Sequence, residues 1–133
     1  MELKRWQKKL DIPINFIPKY FPPSDVSKAS CMVLSMKDDK IQNDLSFCLL
    51  QCVWVKQKDI GDQNTLIKVC EDLNLNSEDI FEQALASKKL YLSLAVEASN
   101  RNVFGSPSYV LNEEVFWGQD RLDLLEEAVV KNK

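Results

Sequence analysis

Residues 102–122 read Asn-Val-Phe-Gly-Ser-Pro-Ser-Tyr-Val-Leu-Asn-Glu-Glu-Val-Phe-Trp-Gly-Gln-Asp-Arg-Leu, and this stretch decides how the rest of the chain is interpreted. From Ser106 to Leu111 it is a β-run, Asn112-Glu113-Glu114 is a tight turn, and Val115-Phe116-Trp117 is a second β-run. Gly118-Gln119 ends the hairpin. Asp120 then stands as N-cap of a helix from Arg121 to Lys131, and Asp120 and Asp123 put negative charge where the helix dipole favours it.

Upstream, residues 25–100 read as four or five helices. Lys37-Asp38-Asp39-Lys40 is a break. Ile41 to Lys58 presents Leu45, Cys48, Leu49, Cys52 and Val53 on one apolar face. After the loop Gly61-Asp62-Gln63-Asn64, Asn64 is placed to cap a helix from Thr65 to Leu73, and Asn76 or Ser77 to cap one from Glu78 to Ala86. Lys88 to Ala98 closes the group. Alone, this middle section would suggest a helical bundle; the hairpin rules that out. At the start of the chain, Leu3, Trp6 and Leu10 mark a helix from Glu2 to Leu10. Ile12 to Ile17 alternates like a short strand, with Pro13 pointing to an edge or strand entry. Pro18, Pro22 and Pro23 then break regular structure. The order is αβ, a helical insert, then ββα.

Two segments give that order a family resemblance. One runs from Glu2-Leu3-Lys4-Arg5-Trp6 through Ile12-Pro13-Ile14 to Tyr20-Phe21-Pro22. The other pairs Val103-Phe104-Gly105-Ser106-Pro107 with Phe116-Trp117-Gly118-Gln119-Asp120-Arg121-Leu122. Val53-Trp54-Val55 and Asp59-Ile60-Gly61-Asp62 lie between them. Together they resemble the 2-hydroxychromene-2-carboxylate isomerase / kappa-class glutathione transferase family. The resemblance implies an α/β, thioredoxin-like fold of DsbA type with an inserted all-helical domain. The thioredoxin-like parts would be residues 1–23 and 101–133, and the insert residues 24–100. It also implies that the first strand and helix of the thioredoxin unit are lacking. A split gene, a natural short paralogue, or a strand recruited from another chain would each account for that. An uncovered sheet edge of this kind invites homodimerisation.

The resemblance assigns a cofactor, glutathione, and four contact residues. Ser106 precedes the family's cis-proline, Pro107, and its main-chain N–H and C=O would pair with the cysteinyl part of glutathione as one strand pairs with another. Gln119 and Asp120 stand where the family holds the γ-glutamyl end: free helix N–H groups would face the α-carboxylate, and the Asp120 carboxylate would pair the α-ammonium. Taken without the family, Ser106-Pro107 is a turn entering a strand and Asp120 only an N-cap. Arg121 is expected at the surface or in a structural ion pair. Trp54, Trp117 and Phe104 are expected in the core rather than against substrate.

No catalytic residue is assigned. The family's serine, which favours the glutathione thiolate, lies upstream of the resemblance, and none of Ser24, Ser27, Ser30 or Ser35 matches its motif. The function implied is a glutathione-dependent isomerase acting on a hydroxychromene carboxylate or a related aromatic-catabolism intermediate. Two other functions compete with it. One is a non-catalytic thioredoxin-like module that binds glutathione or a protein; the other is a DsbA-type thiol–disulfide oxidoreductase fragment.

Composition narrows the field further. The chain has 133 residues, 45% hydrophobic and 28% charged, with three Gly and five Pro, which suits one globular domain rather than a low-complexity chain. A net charge of −3 gives no footprint for nucleic acid. Lys4-Arg5 with Lys8-Lys9, and Lys88-Lys89, fit solvated helix faces. No apolar run approaches a membrane span, and the N-terminus lacks a signal-peptide core, so the cytoplasm is the expected compartment and no membrane partner is expected. Cys31, Cys48, Cys52 and Cys70 form no CxxC pair, and the chain has no histidine. A zinc site, a Cys-His or Ser-His dyad and a dithiol centre therefore lose support, and the cysteines read as small core hydrophobes.

Overall fold

The computed structural model describes residues 2–132. It contains seven helices and one hairpin: α1 (Glu2–Leu10), α2 (Ser27–Ser35), α3 (Asp39–Trp54), α4 (Gln63–Asp72), α5 (Ser77–Ala86), α6 (Lys88–Asn100), β1 (Ser108–Leu111), β2 (Glu114–Trp117), a 3-10 turn (Gln119–Arg121) and α7 (Leu122–Lys131). The chain divides into two compact units, residues 1–91 and residues 92–133. No helix among the described residues is long and apolar enough to cross a membrane.

The first unit is built around helices whose ends carry their own stop and start signals. Asp38 caps α3 by accepting from the Ile41 N–H at 3.0 Å, and Asn76 caps α5 by accepting from Glu78 and Asp79. The cap of α4 is Asp62, not Asn64: the Asp62 carboxylate accepts the Thr65 N–H at 3.1 Å and the helix starts two residues earlier, at Gln63. Between these helices the apolar faces converge. Met32, Leu45, Leu66 and Cys70 are fully buried, joined by Leu49, Cys52, Val69, Ile80 and Ala84. The α2–α5 contact is the most extensive helix–helix packing.

Ile12 to Ile17 is not a strand; this corrects the expectation from alternation. Among the described residues the segment joins no sheet, and Asn15 in its middle is instead bonded to the end of α3. The Asn15 N–H donates to the Trp54 carbonyl at 2.7 Å, and its Nδ2 donates to Trp54 (3.1 Å) and Val55 (2.8 Å). The last carbonyls of a helix have no partner within it, so Asn15 supplies from outside what α3 lacks. Further on, the Asp59 carboxylate accepts both the Ser24 and the Gly61 N–H groups, tying residues 24 and 59–61 together. Gly61 packs so closely on Ser24 Oγ and the Asp25 main chain that a side chain there would overlap both.

The second unit holds the hairpin. β1 and β2 pair antiparallel with Ser108 opposite Trp117, Tyr109 opposite Phe116, Val110 opposite Val115 and Leu111 opposite Glu114. Asn112 and Glu113 form a two-residue loop with φ of 49° and 70°. Positive φ at both central positions is the backbone of a type I′ turn, whose twist matches that of the paired strands. Phe116 is the buried side chain of this unit among the described residues.

Candidate functional site

The four residues singled out as glutathione contacts all lie in the second unit, on two loops that the hairpin register brings side by side. Because Ser108 faces Trp117, the residues just before β1 run alongside those just after β2. The Gly118 N–H donates to the Pro107 carbonyl at 2.9 Å and extends the ladder by one step. Ser108 Oγ donates to the Gly105 carbonyl at 2.6 Å, closing the loop that precedes the strand. The Ser106–Pro107 peptide bond is cis, as is Phe21–Pro22. Ser106 is exposed, Pro107 half-buried, and neither the N–H nor the C=O of Ser106 has a hydrogen-bond partner among the described residues. An exposed residue with both main-chain groups open can accept an extended peptide as a short added strand.

Gln119 and Asp120 are exposed in the 3-10 turn that leads into α7. Asp120 does not cap α7. No side chain caps either the turn or the helix, and α7 proper begins at Leu122. The carboxylate instead folds back over Gly118, with Oδ1 2.5 Å from where a Cβ on that glycine would sit. Gly118 itself has φ 111°, a conformation open to glycine and strained for other residues. The interposed 3-10 turn is the physical reason for the difference: it displaces Asp120 from the position directly preceding the helix. The first-turn N–H groups therefore remain without a side-chain acceptor, next to an exposed carboxylate.

Two aromatic expectations are also corrected. Trp117 and Phe104 are 68% and 80% exposed rather than buried. Along β2 only Phe116 is buried, and strand alternation puts Trp117 on the opposite face. Trp54 is half-buried and lies against Phe21, ring centroids 4.9 Å apart. Arg121 is exposed and enters no ion pair among the described residues, so of its two expected roles the surface one holds. Ser108 closes the first loop on Gly105 and Gly118 ties it to the second; beyond Gly118 ending the hairpin, the sequence assigns these three residues no part in the site. Their one visible signal was the presence of two glycines in the two motif segments.

The cysteines all belong to the first unit. All four are free thiols; Cys31, Cys52 and Cys70 are buried and Cys48 half-buried. Burial pushes the thiols of Cys31, Cys52 and Cys70 above their ordinary range, which disfavours the reactive thiolate. The described residues hold no cluster of His, Cys, Asp or Glu suited to a metal ion.

Comparison with known proteins identifies the family and the fold. The chain is 31% identical over 127 residues to a 2-hydroxychromene-2-carboxylate isomerase from Sphingobium xenophagum, covering 94% of this chain and 63% of that protein. Its fold matches a solved structure of a 2-hydroxychromene-2-carboxylate isomerase with a TM-score of 0.78 at 22% identity, covering 98% of this chain and 63% of the other. The chain thus spans a little under two-thirds of the length of these relatives. The family model for the DSBA-like thioredoxin domain matches residues 1–130, and the chain belongs to that family.

Proposed function

We propose that the chain carries the glutathione-binding half-site of an isomerase of the 2-hydroxychromene-2-carboxylate type. The observation that carries this reading is the pairing of two open features across one hairpin end. Ser106 offers a free main-chain donor and acceptor, and the uncapped turn at Gln119–Asp120 lies beside it through the Gly118–Pro107 hydrogen bond. These residues fit a γ-glutamyl tripeptide. Ser106 takes its cysteinyl amide and carbonyl, the first-turn N–H groups take an α-carboxylate, and the exposed Asp120 carboxylate takes an α-ammonium.

Glutathione held by Ser106, Gln119 and Asp120 would supply thiol chemistry, reversible addition to a conjugated double bond that permits rotation about it. The residues of this chain hold and orient the tripeptide; none of them is assigned the thiol's proton. Free thiols, three of them buried, support a reducing compartment such as the cytoplasm and weigh against disulfide exchange by this chain's own cysteines. The test is a thermal melt with and without millimolar reduced glutathione. A cooperative transition that rises with glutathione, and ceases to rise in Asp120→Ala, supports the half-site. A cooperative transition indifferent to glutathione sinks it.

A further inference from the structure

The two loops of the half-site are joined by more than main-chain hydrogen bonds, and the extra contact is made by a side chain with no assigned role. The Trp117 indole lies directly on Gly105. A Cβ added to that glycine would overlap Nε1 and come within 2.9 Å of Cε2. Trp117 is the last residue of β2, immediately before Gly118, and Gly105 immediately precedes Ser106. One ring therefore spans from the strand that ends in the Gln119–Asp120 turn to the residue that sets where Ser106 begins. It does so while 68% exposed, so burial of the indole is not what holds it there.

We infer that Trp117 is a positioning residue of this site: its indole, seated on Gly105, sets the distance between the Ser106 main chain and the Gln119–Asp120 turn. The inference rests on the glutathione reading for its ligand, but the brace itself is independent of that reading. Three contacts converge on the same four-residue loop. Trp117 covers Gly105, Ser108 Oγ holds the Gly105 carbonyl, and the Gly118 N–H holds the Pro107 carbonyl. A ligand that touches both loops requires their separation to be set in advance, since small displacements of positioning groups are costly. Glycine at 105 is what allows the ring to approach so closely.

The test compares Trp117→Ala, Trp117→Phe and Gly105→Ala in the full chain. One readout is hydrogen exchange at the Gly118 amide, measured without ligand; the other is glutathione affinity by calorimetry. For Trp117→Ala we expect lost protection at Gly118, unchanged protection in α2 to α5, and about tenfold weaker glutathione binding. Trp117→Phe restores most of both, and Gly105→Ala reproduces the loss from the other side of the contact. Unchanged Gly118 exchange and unchanged affinity in Trp117→Ala would overturn the positioning role. A wild-type chain that binds no glutathione, with Gly118 exchange still responding to Trp117→Ala, would leave the brace standing and remove the glutathione reading instead.

Discussion

Residues 1–91 and residues 92–133 solve the problem of staying folded in opposite ways. The first has an interior: eleven buried side chains from four helices form one continuous cluster, capped at its helix starts by Asp38, Asp62 and Asn76. The second buries Phe116 and otherwise depends on local geometry: a two-residue turn, one cross-strand ladder, and glycines that let neighbours close in. The candidate chemistry lies wholly in the second. Binding loops drawn from the less stable part of a fold are common, because a site that must receive a ligand cannot also be packed shut.

That contrast can be broken or sharpened by experiment. The largest effect belongs to the helical interior. Leu66→Ala, at a fully buried position, should cost about 2–5 kcal/mol in denaturant unfolding. If Leu66→Ala costs no more than Val110→Ala in the hairpin, the distinction between the units fails. Next is the tether outside the helices. Asn15→Ala strips the two side-chain hydrogen bonds to the Trp54 and Val55 carbonyls, keeps the main-chain one, and should cost about 1–3 kcal/mol. Faster amide exchange at the C-terminal turn of α3, with α5 unaffected, would localise it.

A smaller effect, of opposite sign, is expected at the hairpin. Glu113 holds φ 70° at a position where glycine carries no Cβ penalty, so Glu113→Gly should stabilise the turn by about 1 kcal/mol. Slower exchange across β1 and β2, without change in α2 to α5, is the expected pattern; a destabilised hairpin would contradict the turn assignment. The smallest effect is a pH dependence. The Gly61 N–H, then the Ser24 contacts, hold the Asp59 carboxyl below its usual value of 3.8. A depressed carboxylate adds stability above its unfolded pKa, and that stability is lost as pH falls from about 3.9 through the folded value. Asp59→Asn should therefore flatten the acid limb of a melting-temperature profile and leave its neutral plateau in shape unchanged. Asp25, lowered by its Ser27 contacts, titrates in the same window and will survive the substitution as a residual slope.

Much of this architecture is legible in local pattern. The helices from Asp39 to Asn100 announce themselves by apolar spacing, and α5 by its Asn76 cap. The hairpin follows from two β-runs flanking a turn, and the cis Ser106–Pro107 bond from the resemblance carried by residues 102–122. What local pattern misstates are positions decided by a distant partner. Ile12 to Ile17 alternates as a strand does, yet Asn15 spends its amide on α3, some forty residues away in sequence. Asp120 has the identity of an N-cap, but a 3-10 turn removes the geometry that capping needs. Trp117 looks like core by composition and is turned outward by strand alternation from Phe116. The candidate site residues follow from the motif resemblance; the Gly118–Pro107 contact that sets their loops side by side depends on strand register and could not be counted from spacing alone.

Gly105 and Gly118 carry a consequence for how this region can change over evolutionary time. Every amino-acid replacement of a glycine adds a Cβ, and at both positions the space for one is already taken, by the Trp117 ring and by the Asp120 carboxylate. The two constraints differ in kind. Replacement at 105 meets the Trp117 ring and eases when 117 is smaller, whereas at 118 the Asp120 side chain can turn aside but the φ of 111° remains. In a saturation library of an otherwise exposed and permissive hairpin, 105 should fill in double variants that shrink 117, while 118 should stay a gap in single and double variants alike.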